Sequence, residues 1–406
     1  MHEVFLYDAV RSPRAKGKPG GALSPILPHQ LVAQLIDALR DRIGRPSIDA
    51  IERFVLGCVG QVGPQGGNLA LVSKLEAGLP VATATQTINN FCVGGMTALV
   101  SAASFVRSGD SELALAGGVE MMSHVPFLGD EASYYTDPEV AAHLQYAPVG
   151  IAADLLANRH GVVRDELDAI ALESHRRAAE AWTAGRYASH VVPIDVDGQT
   201  VSADDTIRPD MTAEDLLTLP PIFEEMGLDR YDAVLREAIP GLDAIHHQHT
   251  LAHCPPIADG AAMLVVGNEA AGDRFGLEPL ARVAGVAEAG GHHVEQLTAG
   301  EAAMTSVLAR HGLSVGDMDV IEYMEAFAVV PALFFRTHDV DSARVNPNGG
   351  HLAMGHPMGA TGAMLVAALA HGLAAQPSNS GGGVNRGLAV AHGGSGVGAA
   401  VLLESV

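Results

Sequence analysis

The stretch that most constrains this chain is Gly94–Arg107, which reads as a helix carrying Met96, Leu99, Val100, Ala103 and Phe105 among small residues, almost without charge until Arg107. A helix that is apolar all round is covered on every side, so the other elements must stack around it in layers. It is entered from a β-like run, Thr83–Ile88, through Asn89-Asn90-Phe91-Cys92-Val93. Cys92 stands at the junction. Unpaired N–H groups and the positive end of the dipole at a helix start lower a thiol pKa from about 8.5 towards neutral, which makes Cys92 a candidate nucleophile. The plainer alternative is a small core hydrophobe, and the neighbouring Gly94 and Gly95 favour the first reading.

The remaining elements supply the layers. Val4–Val10, Phe54–Val59, Thr83–Ile88 and Leu113–Val119 read as strands, interleaved with a helix from Pro28 to Ile43, stopped by Gly44, and another over Asn68–Ala77, closed by Gly78 and Pro80. Such alternation, rich in Val, Ala and Leu, predicts a largely parallel α/β sheet covered on both faces. From about Met121 to Thr250 the chain is more polar and irregular, with one clear helix over Arg164–Arg186, and this predicts an insertion. After Ala262–Val266 the β/α order repeats: Ala281–Ala287, Ala299–His311, Val320–Tyr323, Val329–Phe335, Gly359–Leu373, Gly387–Ala391 and Val397–Leu403. The expected organisation is a first core half (1–120), an inserted domain (121–250), the end of the first half (251–270) and a second half (271–406).

Composition excludes several classes. A net charge of −23 over 406 residues opposes unspecific binding to nucleic acid or to an anionic membrane, so an anionic ligand needs a local basic patch. Three cysteines, Cys58, Cys92 and Cys254, are too few and too scattered for a disulfide framework, which points to a reducing compartment. The opening Met1-His2-Glu3-Val4 does not read as a signal or transit peptide, and no uncharged apolar run reaches the length of about 18 residues that spans a bilayer. Glu404-Ser405-Val406 is not the peroxisomal Ser-Lys-Leu address. The expectation is a cytoplasmic protein without nucleic-acid or membrane partners.

Asn90-Phe91-Cys92-Val93-Gly94-Gly95, followed by Ala116-Gly117-Gly118-Val119-Glu120-Met121-Met122-Ser123, resembles the nucleophile region and next strand of thiolases. Two further blocks agree: Asn346-Pro347-Asn348-Gly349-Gly350 leading into Gly355-His356-Pro357-Met358-Gly359-Ala360-Thr361-Gly362, and Met324-Glu325-Ala326-Phe327-Ala328, which is similar to the family's Asn-Glu-Ala-Phe-Ala. The resemblance runs from Ala9-Val10-Arg11-Ser12-Pro13 to the last strand. It implies the thiolase fold, two duplicated βαβαβαββ halves in a five-layered α/β/α/β/α sandwich with an inserted loop domain. It implies Cys92 as nucleophile and His356 as the base that helps to ionise it and as an oxyanion donor. The other oxyanion hole uses backbone N–H groups matching Cys92 and Gly394.

The sequence also departs from the family. His392, in Ala391-His392-Gly393-Gly394-Ser395-Gly396, stands where thiolases carry a proton-transferring cysteine. An imidazole can act as acid or base near neutrality, and a repurposed or dead proton-transfer site is the alternative. Met324 replaces the asparagine that anchors an oxyanion-hole water, which a thioether does poorly, while Phe327 is retained. Arg208 aligns with an arginine that lies beside the adenine of coenzyme A; a surface arginine is the plain alternative. Pro255 replaces a pantetheine-contacting serine, and Pro148-Val149-Gly150 replaces the family's His-Met-Gly, so Val149 and Pro255 belong to a rebuilt carrier channel. His246-His247-Gln248-His249 with His253, and His292-His293, invite a metal reading, but neither is joined by cysteine or carboxylate at ligand spacing, and no metal is expected.

The function implied is a ping-pong acyltransferase of fatty acid metabolism acting on acyl-CoA thioesters, by thiolysis of 3-ketoacyl-CoA or by Claisen condensation. It needs no cofactor, with coenzyme A as substrate or product, and is expected as a homodimer or homotetramer. An acyltransferase with another acceptor and a non-catalytic acyl-CoA-binding protein are the alternatives.

Overall fold

In the computed structural model, which describes residues 1–377 and 383–406, the first half comprises β1 (Phe5–Arg11), α1 (Pro28–Ile43), β2 (Arg53–Gly57), α2 (Leu69–Glu76), β3 (Ala84–Ile88), α3 (Gly94–Ser108) and β4 (Leu113–Met121). An excursion follows that holds α4 (Val149–His160), α5 (Arg164–Thr183) and a small hairpin, Ile194–Val196 with Gln199–Val201, before β5 (Ala258–Gly267) returns to the core. The second half comprises β6 (Ala281–Gly290), α6 (Ala299–His311), β7 (Val320–Tyr323), α7 (Val329–Thr337), α8 (Met358–Ala374), β8 (Arg386–His392) and β9 (Val397–Glu404). Where the first half has β3, the second has a single bridge residue, Val345, paired in parallel with Ile321. Both halves are therefore βαβαβαββ units.

The strands run β7-β8-β9-β6-β1-β5-β4-β2-β3, and the two half-sheets join through Phe5↔Arg282 and Leu6↔Ala281. The sheet is mixed rather than largely parallel. Strands linked by helical crossovers are parallel (β2 with β3 and β4, β7 with β8), whereas β5 returns antiparallel to β1 and β4, and β9 doubles back on β8 through a tight glycine turn.

Alternate residues of each strand face opposite ways, and the core divides accordingly. Tyr7, Val10, Phe54, Leu56, Leu115, Met263 and Val265 pack with Leu31, Leu35 and Leu39 of α1 on the outer face. Leu6, Ala9, Val55, Ala114, Ala116 and Leu264 pack inward on α3 and α8, whose other sides meet β8 and β9; α6 and α7 cover the far face of the second half-sheet. Counted outwards from α3 and α8, these are five layers. The sequence shows no uncharged run of membrane length, yet Phe91–Ser108 has the length and mean hydropathy, 1.3, of a membrane span. Its glycines and alanines let the two half-sheets and α8 approach closely, but only half of the stretch is buried and Ser104 is exposed, so the helix is not covered on every side as its apolar composition predicts.

Candidate active site

Cys92 is delivered by β3 and a turn made by two asparagines. Asn89 Oδ1 accepts the Phe91 N–H at 2.9 Å, which supports the positive φ of 45° at Phe91, and Asn90 Nδ2 donates to Thr97 Oγ1 at 2.8 Å. The cysteine then stands just ahead of α3. His356 stands at the equivalent place in the second half, just ahead of α8. The two helices touch where they begin: a Cβ on Gly95 would lie 2.8 Å from both Gly359 O and Ala363 N. This contact brings Cys92 and His356 onto one cavity of about 460 Å³.

Glu120, at the end of β4, ties the loop after β2 to the start of α8. Its buried carboxylate accepts from Val59 N (2.9 Å), Gly60 N (3.0 Å), Gln65 Nε2 (2.7 Å) and Gly359 N (3.0 Å). The sequence reading treats it only as part of a strand; the available signal is a lone carboxylate inside an otherwise apolar run.

The electrostatics differ from those expected of a helix start. Burial, with Glu120 adding to it, pushes the Cys92 thiol up to about 11, against main-chain hydrogen bonds from Gly394 and from Cys92 itself. Desolvation outweighs the dipole because the sulfur is enclosed by both halves. Burial and the nearby Arg14 guanidinium lower His356 to about 3. The resting pair is therefore a thiol and a neutral imidazole. His356 Nδ1 is engaged by Thr361 Oγ1 at 2.7 Å, and its main-chain N–H by Pro256 O at 2.8 Å, which leaves Nε2 for chemistry.

The cavity also holds Val149, Pro255, Phe327 and, exposed at its rim, Arg208, whose main-chain N–H donates to His175 Nδ1 at 3.0 Å. Aliphatic and aromatic side chains make up most of its wall. A smaller chamber of about 60 Å³ shares Cys92, Phe127, Val149 and Met358 with it and is closed by Tyr134, Tyr135 and Tyr146, with Gly394 on its wall.

Two expected site residues lie elsewhere. Met324 is fully buried, and its sulfur accepts the His392 N–H at 3.3 Å instead of facing the cavity. The His392 ring lies against Tyr323 (centroids 4.9 Å apart) and lines a different recess. Room for that orientation exists because α6 has Gly300 there, where a Cβ would lie 2.7 Å from His392 Nδ1. The histidine run is tied to carboxylates far off in sequence: Asp154 accepts from His247 Nδ1 (2.9 Å) and His249 Nδ1 (2.6 Å), and Asp168 lies 2.7 Å from His253 Nε2.

Residues 4–228 match the family described as Thiolase, N-terminal domain, and residues 277–405 match Thiolase, C-terminal domain. A beta-ketoadipyl-CoA thiolase of Pseudomonas aeruginosa is 35% identical, with 100% of this chain and 99% of that protein covered. A 3-oxoadipyl-CoA/3-oxo-5,6-dehydrosuberyl-CoA thiolase of Escherichia coli is 33% identical, with 92% and 93% covered. Among solved structures, human mitochondrial 3-ketoacyl-CoA thiolase has a TM-score of 0.85 at 29% identity, covering 100% of this chain and 99% of that one. Acat5 thiolase from Ascaris suum in complex with coenzyme A has a TM-score of 0.83 at 28% identity, with 100% of both chains covered. The chain belongs to the thiolase family.

Proposed function

We propose that this chain transfers acyl groups between coenzyme A thioesters through an acyl-enzyme on Cys92, in the direction of thiolytic cleavage of 3-ketoacyl-CoA. The observation that carries this reading is the convergence of Cys92 and His356, from equivalent places in two halves, on one largely apolar cavity. Arg208 at the rim suits the anionic nucleotide end of the carrier, and Val149, Pro255 and Phe327 line the way for its uncharged arm.

Cys92 Sγ attacks the 3-keto carbon while its proton passes to His356 Nε2, so that no free thiolate is needed beforehand. The alkoxide is held by the N–H groups of Cys92 and Gly394. The bond between the α-carbon and the keto carbon then breaks, its electron pair goes to the α-carbon, and that carbon takes the proton back from His356. A second coenzyme A thiol attacks the Cys92 thioester, giving its proton through His356 to the departing Cys92 sulfur. Incubation with an acyl-CoA tests this: intact mass spectrometry should show the acyl mass on the wild type and none on Cys92→Ala. Acylation of the alanine variant to the wild-type level would end the proposal.

The place of His392 favours a second reading. With its ring outside the Cys92 cavity, transfer from a plain acyl-CoA to an oxygen or nitrogen acceptor, which forms no α-carbanion, asks less of the site than either cleavage of a 3-ketoacyl-CoA or condensation. A panel of acceptors with one fixed acyl donor separates the two. The open edge of β3 supports assembly as a homodimer, alone or paired into a homotetramer.

A further inference from the structure

Behind Leu297, on the other side from Cys92, a recess of about 600 Å³ opens between α6 and α7. Val330, Leu333 and Phe334 give it apolar walls, and His392 lies at its bottom. That ring is 1% exposed, and among the described residues its nitrogens have no hydrogen-bond partner other than the Leu297 main chain. A buried polar group left unpaired is costly, and the missing side chain at Gly300 is what accommodates it. Burial lowers His392 to about 4, against the Leu297 main chain, so at neutral pH the ring has one donor, for that main chain, and one acceptor left over.

Leu297 is the wall shared by the recess and the Cys92 cavity. It sits in strained backbone, with φ of 34° at Leu297 and 54° at Gln296, a region that residues with side chains seldom occupy. Gln296 holds the turn in place by donating to Ala147 O at 2.8 Å and accepting Ser395 N–H at 2.9 Å. The residue that both linings share thus sits on a strained, bonded turn.

We propose that the distal end of the acyl group passes Leu297 and lodges in this recess, where His392 recognises a hydroxyl group on it; this rests on the acyl-CoA reading above. The chamber beside Cys92, closed by three tyrosines, takes only small acyl groups, so a long tail needs another exit. The aliphatic walls suit a hydrocarbon. Among polar ends, a hydroxyl can donate to the acceptor nitrogen that the Leu297 main chain leaves over, which a methyl or a carboxylate cannot. A carboxylate is disfavoured by Glu301, which lines the same recess and already holds His338 Nε2 and Tyr323 OH.

The test uses S-alkyl-coenzyme A thioethers, which bind without reacting: ethyl, then a ladder from butyl to dodecyl, each ending in methyl, hydroxyl or carboxylate. Affinities are measured by calorimetry on the full chain, on His392→Leu and on Leu333→Trp, which fills the recess away from Cys92. The longer hydroxyl-ended probes should bind the wild type about tenfold more tightly than their methyl counterparts, and that preference should vanish in His392→Leu. Leu333→Trp should keep ethyl binding and lose the advantage of the long chains. The inference is overturned if no chain length gains from a terminal hydroxyl, or if Leu333→Trp binds long chains like the wild type. Failure of the ethyl probe to bind the wild type would instead remove the acyl-CoA reading, and this inference with it.

Discussion

Gly95 and Gly359 meet at the start of two helices that occupy equivalent places in the two halves of the chain, and a Cβ on Gly95 would lie 2.8 Å from Gly359 O. Because the near atoms are backbone, the contact cannot relax as a flexible side chain would. Gly95→Val should therefore force α3 and α8 apart, destabilise by about 1–3 kcal/mol, and separate Cys92 from His356. Thermal unfolding and the rate of Cys92 acylation report the two effects; wild-type acylation in a folded valine variant would show that the approach is not required.

The Cys92 thiol, pushed up to about 11, should alkylate slowly at neutral pH and accelerate through the alkaline range. The reactivity of Cys92 towards iodoacetamide as a function of pH checks this. A midpoint at or below about 8.5, the value of a free thiol, would mean that the helix start outweighs burial.

The two predictions mark what the sequence discloses. The nucleophile, the histidine loop and the repeated β/α order are local patterns, and each is legible where a strand stops at a glycine-rich turn before an apolar helix. The thiol's ionisation is not local. It depends on enclosure by elements more than two hundred residues away, including the Gly394 turn. His392 shows the same limit: its motif position is legible, but its direction is set by Gly300 and by the Met324 sulfur that takes its main-chain N–H. Asp154 and Asp168 escape a reading by spacing because they reach the histidine run across a fold, not along a helix.

Glu322 makes stability depend on pH. It is buried, and desolvation with the neighbouring Glu325 raises it to about 8, against Arg14 and Arg11. The folded chain thus holds a proton that the unfolded chain releases near 4.5. Its contribution is fully present below that value and is lost as pH rises to about 8, by up to about 1.4 kcal/mol per pH unit within that window. Glu322→Gln should unfold at the same urea concentration as the wild type near pH 4.5 and at a higher one near pH 8.5. An equal difference at both pH values would contradict the assignment.

The edge of β3 ends the sheet, and its residues Ala84 and Gln86 are exposed. An uncovered edge strand invites pairing with another chain, so light scattering at micromolar concentration should report at least a dimer. Gln86→Lys, which places charge on that edge, should shift the equilibrium towards monomer; a monomeric wild type would remove the case for assembly through β3.

Thr361 decides which form of His356 meets the substrate. Its hydroxyl, fully buried in α8, lies 2.7 Å from Nδ1. If Nδ1 carries the proton and donates to Thr361 Oγ1, Nε2 presents a lone pair and can accept the Cys92 proton. If the hydroxyl donates instead, Nε2 carries hydrogen and can only hold an oxyanion. Proton transfer from Cys92 requires the first arrangement in the resting enzyme, and the threonine hydroxyl then has its own proton free for a carbonyl of the preceding turn. Thr361→Val removes the acceptor while keeping shape, so the Nδ1–H form loses its support. Acylation should slow by roughly tenfold, the loss of one hydrogen bond to a neutral partner, with KM for the acyl-CoA little changed because the cavity wall is intact. Nitrogen-15 shifts of His356 should show protonated Nδ1 in the wild type and a mixture of tautomers in the variant. Protonated Nε2 in the resting wild type would assign His356 to oxyanion stabilisation alone and leave the Cys92 proton to another acceptor.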